Sequence, residues 1–172
     1  MASAQRPVRL FDDSFLRFLP APLREPRRAW LAIPTGWALS MLGSLLLAIA
    51  VEWLVPNLAS PDVPPMSPGL LIFMFVVFAP LVESILMGAI LVLLLRWMPP
   101  VTAILVSALA WGVFHSLQAS AWGLAIWWPF LIFSTLFVVW RQRGFWMGVG
   151  VATATHMLQN VGPAIALIYR TA

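Results

Sequence analysis

The sequence predicts an all-α protein, a polytopic bundle of about five transmembrane helices. The chain is 62% hydrophobic and only 9% charged, whereas a soluble domain averages about 25% charged residues. Its apolar residues fall into separate runs, each long enough for the roughly 20 residues that span a bilayer. A length of 172 residues suits one compact membrane domain. We therefore expect lipid to cover most of the surface.

Five membrane segments account for residues 29–170, which we interpret as a single transmembrane domain. Their predicted limits are 29–55, 69–95, 101–118, 123–140 and 145–168. The connection over 56–68 contains five prolines, which lack a backbone N–H, so it is predicted to be a loop. Pro99 and Pro100 mark the next turn, and residues 141–144 mark the last one.

Residues 1–28 form an arginine-rich leader. Six of the ten arginines precede the first apolar run, and nine of the ten fall on the cytoplasmic side if the N-terminus is cytoplasmic. Such a bias is typical of the inner side of a membrane protein, so we favour a topology signal over nucleic-acid binding. Residues 10–20 are predicted to form either a short amphipathic helix on the inner leaflet or a partly disordered segment.

Three ionisable side chains interrupt the apolar segments: Glu83, His115 and His156. They comprise the only two histidines and the only acid that follows Asp62. An ionisable group in hydrocarbon is unfavourable by several kcal/mol, so such residues are functional-site hypotheses by default. Because they lie on three different segments, they predict one buried polar centre.

The neighbours of these residues support an inward orientation. His156 and Asn160 are four residues apart and share one helix face, as do Trp111 and His115. Pro80 precedes Glu83 by one turn, where it should loosen the helix and free a carbonyl group. The absence of cysteine excludes disulfides and thiol chemistry.

The residue types leave three kinds of chemistry open. Glu83 can take a proton from water while histidine and asparagine donors stabilise an oxyanion, which is peptide hydrolysis without a covalent intermediate. Alternatively, two histidines and a glutamate form a possible zinc ligand set. The same groups could also pass protons in a carrier, although the absence of an internal repeat speaks against that reading.

Three motifs resemble those of the CPBP family of intramembrane glutamic proteases, which includes CAAX prenyl endopeptidases and bacteriocin-processing relatives. The segment APLVESILMGA, from Ala79 to Ala89, resembles the first motif, APxxEExxFRG. Trp111 to His115 resembles FxxxH with tryptophan in place of phenylalanine, and His156 to Asn160 matches HxxxN. The resemblance covers roughly residues 69–165.

This resemblance implies an intramembrane endopeptidase without a metal cofactor, with zinc as the alternative. It assigns catalytic roles to four residues. Glu83 would be the water-activating base, His115 would assist that water or the carboxylate, and His156 and Asn160 would hold the oxyanion or orient the site. It places Ser84, Trp111 and Gly88 beside the site as pocket residues. The implied partners are the lipid bilayer and a protein or peptide with a membrane-inserted or lipidated tail, with no nucleic acid. The expected location is the bacterial inner membrane.

Two positions depart from the family motif. Ser84 replaces the second glutamate, and Gly88 replaces the arginine. Their joint loss is electrostatically consistent, because an arginine without its acid would be an unpaired buried charge. The departures keep open a catalytically inactive scaffold or immunity factor, and a proton-coupled carrier is the third hypothesis.

Overall fold

A computed structural model describes residues 9–58 and 64–171 and shows an all-helical chain. The five long helices in these ranges are α1 (Ala29–Leu54), α2 (Pro68–Leu94), α3 (Pro100–Ser116), α4 (Ser120–Trp140) and α5 (Phe145–Thr171). Their limits differ from the predicted ones by at most three residues, as at Ser120 against 123 and Thr171 against 168. The predicted fold class is confirmed.

Three of these helices are long and apolar enough to cross a membrane by length and composition. They are α1, α2, and α4 together with the 3-10 turn Arg141–Arg143. Helix α3 is apolar but has only 17 residues. Helix α5 carries the polar residues of the third motif. The cytoplasmic position of the N-terminus stays a prediction.

Helix α4 is the centre of the bundle, because every residue from Pro129 to Trp140 is buried. Two glycines allow α3 to pack closely along it: a Cβ atom on Gly123 would lie 2.0 Å from the carbonyl oxygen of Gly112. Small residues permit such close backbone approach between membrane helices. Helices α3 and α4 therefore form a closely packed hairpin.

Helix α1 holds α4 and α5 in place through polar contacts. The indole N–H of Trp128 donates to the carbonyl of Leu39 at 2.9 Å. Two serines of α1 also bond to Gln159 of α5. Ser40 Oγ donates to Gln159 Oε1 at 2.8 Å, and Gln159 Nε2 donates to Ser44 Oγ at 2.9 Å. Hydrogen bonds of this kind link membrane helices, so α1 fixes the register of α5 one turn beyond His156.

Helix α2 is interrupted by a π-helical stretch. An α-helical turn over Pro68–Ile72 leads into the π segment Phe73–Phe78, and the α-helix resumes over Ala79–Leu94. Single π turns inside α-helices are frequently found at functional sites. Here the π turn ends two residues before Pro80 and lies on the helix that carries Glu83.

The part of the leader that is described differs from both expectations for residues 10–20. It forms a short 3-10 helix, Phe15–Phe18, and one helical turn, Ala21–Arg24, instead of one amphipathic helix or a disordered segment. Pro20 has no N–H to extend a helix. Three leucines of this segment are buried in the core that contains α4, namely Leu16, Leu19 and Leu23. Residues 1–8 of the predicted leader lie outside the described residues.

The buried Arg24 links the end of this segment to its beginning through two side-chain contacts. Arg24 Nε donates to the carbonyl oxygen of Leu19 at 2.7 Å, and its Nη1 group pairs with the carboxylate of Asp12. Because the apolar side chains face the protein and the charged head is paired, the segment packs as part of the bundle against α1 and α4.

Candidate active site

Glu83 and His156 face each other across the contact between α2 and α5. The Oε2 atom of Glu83 lies 3.8 Å from the Nε2 atom of His156. The imidazole is buried, whereas the Glu83 side chain keeps 24% of its surface exposed. Two of the three intramembrane groups predicted to converge, Glu83 and His156, are thus adjacent, whereas His115 is not in contact with the carboxylate in the described part of the chain. The carboxylate of Glu83 retains access to a small molecule.

Two phenylalanines of α4 hold the imidazole of His156. Its ring stacks on Phe133 with centroids 4.5 Å apart and an interplanar angle of 25°. Phe130 packs against it edge-on at 5.4 Å. The Nδ1 atom is buried without a hydrogen-bond partner among the described residues. Packing, together with Glu83, therefore sets the orientation of this histidine.

His115 is held differently, by its own helix. Its Nδ1 atom lies 2.8 Å from the carbonyl oxygen of Trp111, one turn earlier on α3. Because a carbonyl oxygen only accepts hydrogen bonds, Nδ1 must carry the hydrogen, and the neutral ring then presents the lone pair on Nε2. This is the tautomer that can accept a proton at Nε2.

The aromatic ring of Phe130 is a common neighbour of the two histidines. Its centroid lies 5.5 Å from that of His115 and 5.4 Å from that of His156. Trp122 closes another side of His115 at 4.9 Å. The side chains of both motifs therefore line one aromatic region of the bundle, even though they belong to different helices.

Asn160 reaches from α5 to the π segment of α2. Its Nδ2 atom donates to the carbonyl oxygen of Phe75 at 2.9 Å. The orientation of the carboxamide follows from chemistry, because a carbonyl oxygen cannot face the acceptor atom Oδ1. The HxxxN motif thus contacts α2 twice, through His156 at Glu83 and through Asn160 at Phe75.

The three predicted pocket residues occupy different surroundings. The Ser84 hydroxyl is buried without a hydrogen-bond partner in the described part of the chain. Trp111 stacks on Phe130 with centroids 4.7 Å apart. Gly88 lies in a helix contact, since a Cβ atom there would be 2.7 Å from Cε2 of Phe137. The phenyl ring of Phe137 therefore fills the space beside the position of the motif arginine.

The zinc alternative lacks a preformed ligand group. Among residues 9–58 and 64–171, no three His, Cys, Asp or Glu side chains lie close enough together to hold a metal ion. Glu83 and His156 form a pair instead of part of a three-ligand set. What the arrangement offers is a carboxylate beside an imidazole, with an amide donor one turn away.

Sequence reasoning missed two contributors to this site. The first is the backbone carbonyl of Phe75, which has no side-chain signature, although Pro80 indicated that a carbonyl would be freed nearby. The second is the pair Phe130 and Phe133, whose positions on α4 looked like ordinary apolar helix. Their rings pack on the histidines, a contact that no residue pattern within α4 indicates.

The family model for the type II CAAX prenyl endopeptidase Rce1-like proteins matches residues 65–162. This span is 98 of the 172 residues and includes all four predicted catalytic positions. The chain belongs to this family. The predicted kinship with CAAX endopeptidases is confirmed, and the protein is an integral membrane member of a protease family, one that acts within the bilayer on protein substrates. Comparison with curated proteins and with solved structures gives no match.

Proposed function

We propose that this Rce1-like protein is an intramembrane endopeptidase of glutamic type, which hydrolyses a peptide bond in a membrane-associated protein or peptide. The observation that carries the proposal is the pairing of Glu83 with His156 at 3.8 Å on two apolar helices. A carboxylate and an imidazole at this separation can both contact one oxygen atom placed between them. We infer the bacterial inner membrane as its location.

Glu83 acts as the general base in this mechanism. It accepts a proton from a water molecule as the water oxygen forms a bond to the scissile carbonyl carbon, which requires a base within about 2.6–3.2 Å of that water. The partial exposure of Glu83 gives water access to the carboxylate. His115, with its free Nε2 lone pair, assists in holding or accepting the proton.

His156 and Asn160 stabilise the negative charge that develops on the carbonyl oxygen. One N–H of the Asn160 carboxamide is engaged by Phe75, which leaves the second for the oxyanion. Fixed donors of this kind act strongly where water is excluded, because they need no reorganisation during the reaction. As the C–N bond breaks, the proton held by Glu83 passes to the leaving amine, so protons and electron pairs balance.

An inactive scaffold is the second candidate, and the packing around the first motif favours it. Ser84 cannot carry the charge of the second glutamate, and Phe137 fills the space beside Gly88. In that case the chain would bind another membrane protein or act as an immunity factor. The two candidates differ in one property, hydrolysis by the purified protein.

The test is hydrolysis by the full chain reconstituted in proteoliposomes. Two probes are compared, a prenylated CAAX-type peptide and a membrane-inserted peptide without a lipid. We expect Glu83→Gln to lower the cleavage rate by about 10²–10⁴-fold, the contribution typical of a general base. Glu52→Gln is the matched control, because Glu52 is an exposed glutamate near the far end of α1.

Two outcomes would overturn the proposal. If the Glu83→Gln protein inserts normally and cleaves as fast as wild type, Glu83 is not the general base. Wild-type protein that cleaves neither probe, nor any peptide of a membrane-anchored library, would favour the scaffold. Proton or ion flux across the same vesicles would instead support the carrier hypothesis.

A further inference from the structure

The carbonyl group of Phe75 has lost both of its ordinary helical donors. In an α-helix it would accept from the N–H of Ala79, but that N–H donates to Met74 in the π pattern. In the π pattern it would accept from residue 80, which is Pro80 and has no N–H. The π turn and the proline together therefore leave one backbone acceptor without a partner in its own helix.

Helix α5 supplies the missing donor. Asn160 Nδ2 donates to the Phe75 oxygen at 2.9 Å, across a separation of 85 residues in sequence. Inside a membrane an unpaired backbone group is unfavourable by several kcal/mol, so the carbonyl is a strong and fixed acceptor. The carboxamide of Asn160 is therefore fixed between two helices, by its covalent attachment to α5 and by its hydrogen bond to Phe75 of α2.

We propose that Pro80 is a positioning residue of this site. By withholding an N–H, it keeps the Phe75 carbonyl free to bind Asn160, and so aims the second carboxamide hydrogen toward the reacting carbonyl. Pro80 is buried and acts only through Phe75 and Asn160. Its consequence for catalysis rests on the proposed function, whereas the anchoring of Asn160 does not.

The hydrogen bond between Asn160 and Phe75 lies close to the contact between Glu83 and His156. Glu83 follows Pro80 by three residues on α2, and His156 precedes Asn160 by four residues on α5. The Phe75–Asn160 bond and the Glu83–His156 contact therefore join the same two helices at consecutive levels. Loss of the first should loosen the geometry of the second.

The anchor can be observed directly, because the chain contains only two asparagines, Asn57 and Asn160. Side-chain ¹⁵N labelling of asparagine gives two carboxamide signal pairs, and Asn57→Ser assigns them. We expect Asn160 to show one downfield, exchange-protected hydrogen in wild type. Pro80→Ala restores a competing N–H and should move that signal toward the position of a free carboxamide. Pro34→Ala, an exposed proline inside α1, should leave it unchanged.

The acceptor side offers an internally referenced measurement. Only Phe75 and Phe137 precede a valine, so ¹³C-carbonyl phenylalanine combined with ¹⁵N-valine yields two carbonyl correlations. In Asn160→Leu, whose side chain has no hydrogen-bond donor, the Phe75 carbonyl should move upfield while that of Phe137 stays in place. This variant keeps the inference testable if Pro80→Ala does not fold.

The catalytic consequence is a change in kcat. A misplacement of about 1 Å can lower a rate by about 10²-fold, so we expect Pro80→Ala to lower kcat by about 10- to 100-fold with little change in KM. In an Asn160→Ala background the same substitution should have no further effect. Pro80→Ser, which also restores the N–H, should behave like Pro80→Ala.

The outcomes separate the positioning role from the proposed function. An unchanged Asn160 signal and unchanged kcat in folded Pro80→Ala would overturn the positioning role. Equal losses of kcat in wild-type and Asn160→Ala backgrounds would also overturn it, because Pro80 would then act independently of Asn160. If the Asn160 signal is downfield in wild type and moves in Pro80→Ala, but wild type shows no hydrolytic activity, the anchoring of Asn160 is supported and the protease function is rejected.

Discussion

The two histidines of the site are held in opposite ways. His115 is fixed by a backbone carbonyl one turn earlier on its own helix, so its tautomer follows from local structure. His156 has no hydrogen-bond partner at Nδ1 within the described residues and is held by Phe133 of α4 and Glu83 of α2. The hydrogen bond that orients His115 is therefore local to α3, whereas the orientation of His156 depends on contacts with two other helices.

Because of this difference, we expect the two histidines to respond differently when the packing of the helices is disturbed. A perturbation of helix packing should reach His156 first, because three helices meet around it. His115 should keep its hydrogen bond as long as α3 remains helical. The comparison therefore separates groups whose role depends on assembly of the whole bundle from groups that are pre-set within one element.

Within the comparison of the two histidines, the largest expected effect comes from removing each of them in turn. We expect His156→Ala to lower kcat/KM by about 10²–10³-fold, because it removes both the neighbour of Glu83 and an oxyanion donor. His115→Ala should have a smaller effect, since His115 is not paired with the base. Cleavage in proteoliposomes, with insertion checked for each variant, measures both. A larger loss for His115→Ala would reverse the assignment of roles.

A smaller effect is expected from overpacking a helix contact on α2, the helix that carries Glu83. A Cβ atom on Gly88 would lie 2.7 Å from the ring of Phe137, so Gly88→Ala should destabilise the protein by about 1–3 kcal/mol through overpacking. Gly150→Ala, at a position with no atom within 4 Å, is the matched control and should be nearly neutral. Thermal unfolding in detergent compares them. Equal stability of the two variants would show that the contact is not tight.

The smallest expected signal is spectroscopic and sharpens the comparison itself. The chain has only two histidines, so ¹⁵N labelling of the rings gives two sets of signals. We expect neutral His115 to show a protonated Nδ1 and a bare Nε2, because Nδ1 donates to Trp111. Trp122→Ala, which removes an edge contact only, should leave this tautomer unchanged. A protonated Nε2 with a bare Nδ1 would contradict the structure.

Much of the fold could be predicted because membrane helices are encoded locally. Apolar runs and prolines placed all five long helices, and the isolated ionisable residues indicated a polar centre before any contact was known. Glu83 and His156 do meet. The catalytic roles of the four motif residues stay predictions, because proximity alone does not show chemistry.

Other features depend on contacts between distant segments and left no local pattern. The bond from Asn160 to Phe75 involves a backbone atom, which no residue type at position 75 reveals. The packing of the leader has the same origin, because Leu16, Leu19 and Leu23 are buried against distant segments of the chain. Its path is set by Pro20 and by the Arg24–Asp12 pair.

The central claim is that Glu83 and His156 act as one unit in the hydrolytic step, Glu83 on the attacking water molecule and His156 on the carbonyl oxygen. A double-mutant cycle with Glu83→Gln, His156→Ala and the combined variant tests it most directly, because residues that act together show strongly non-additive losses. We predict that the combined variant cleaves no more slowly than the worse single variant. Losses that multiply, as for independent sites, would contradict the account.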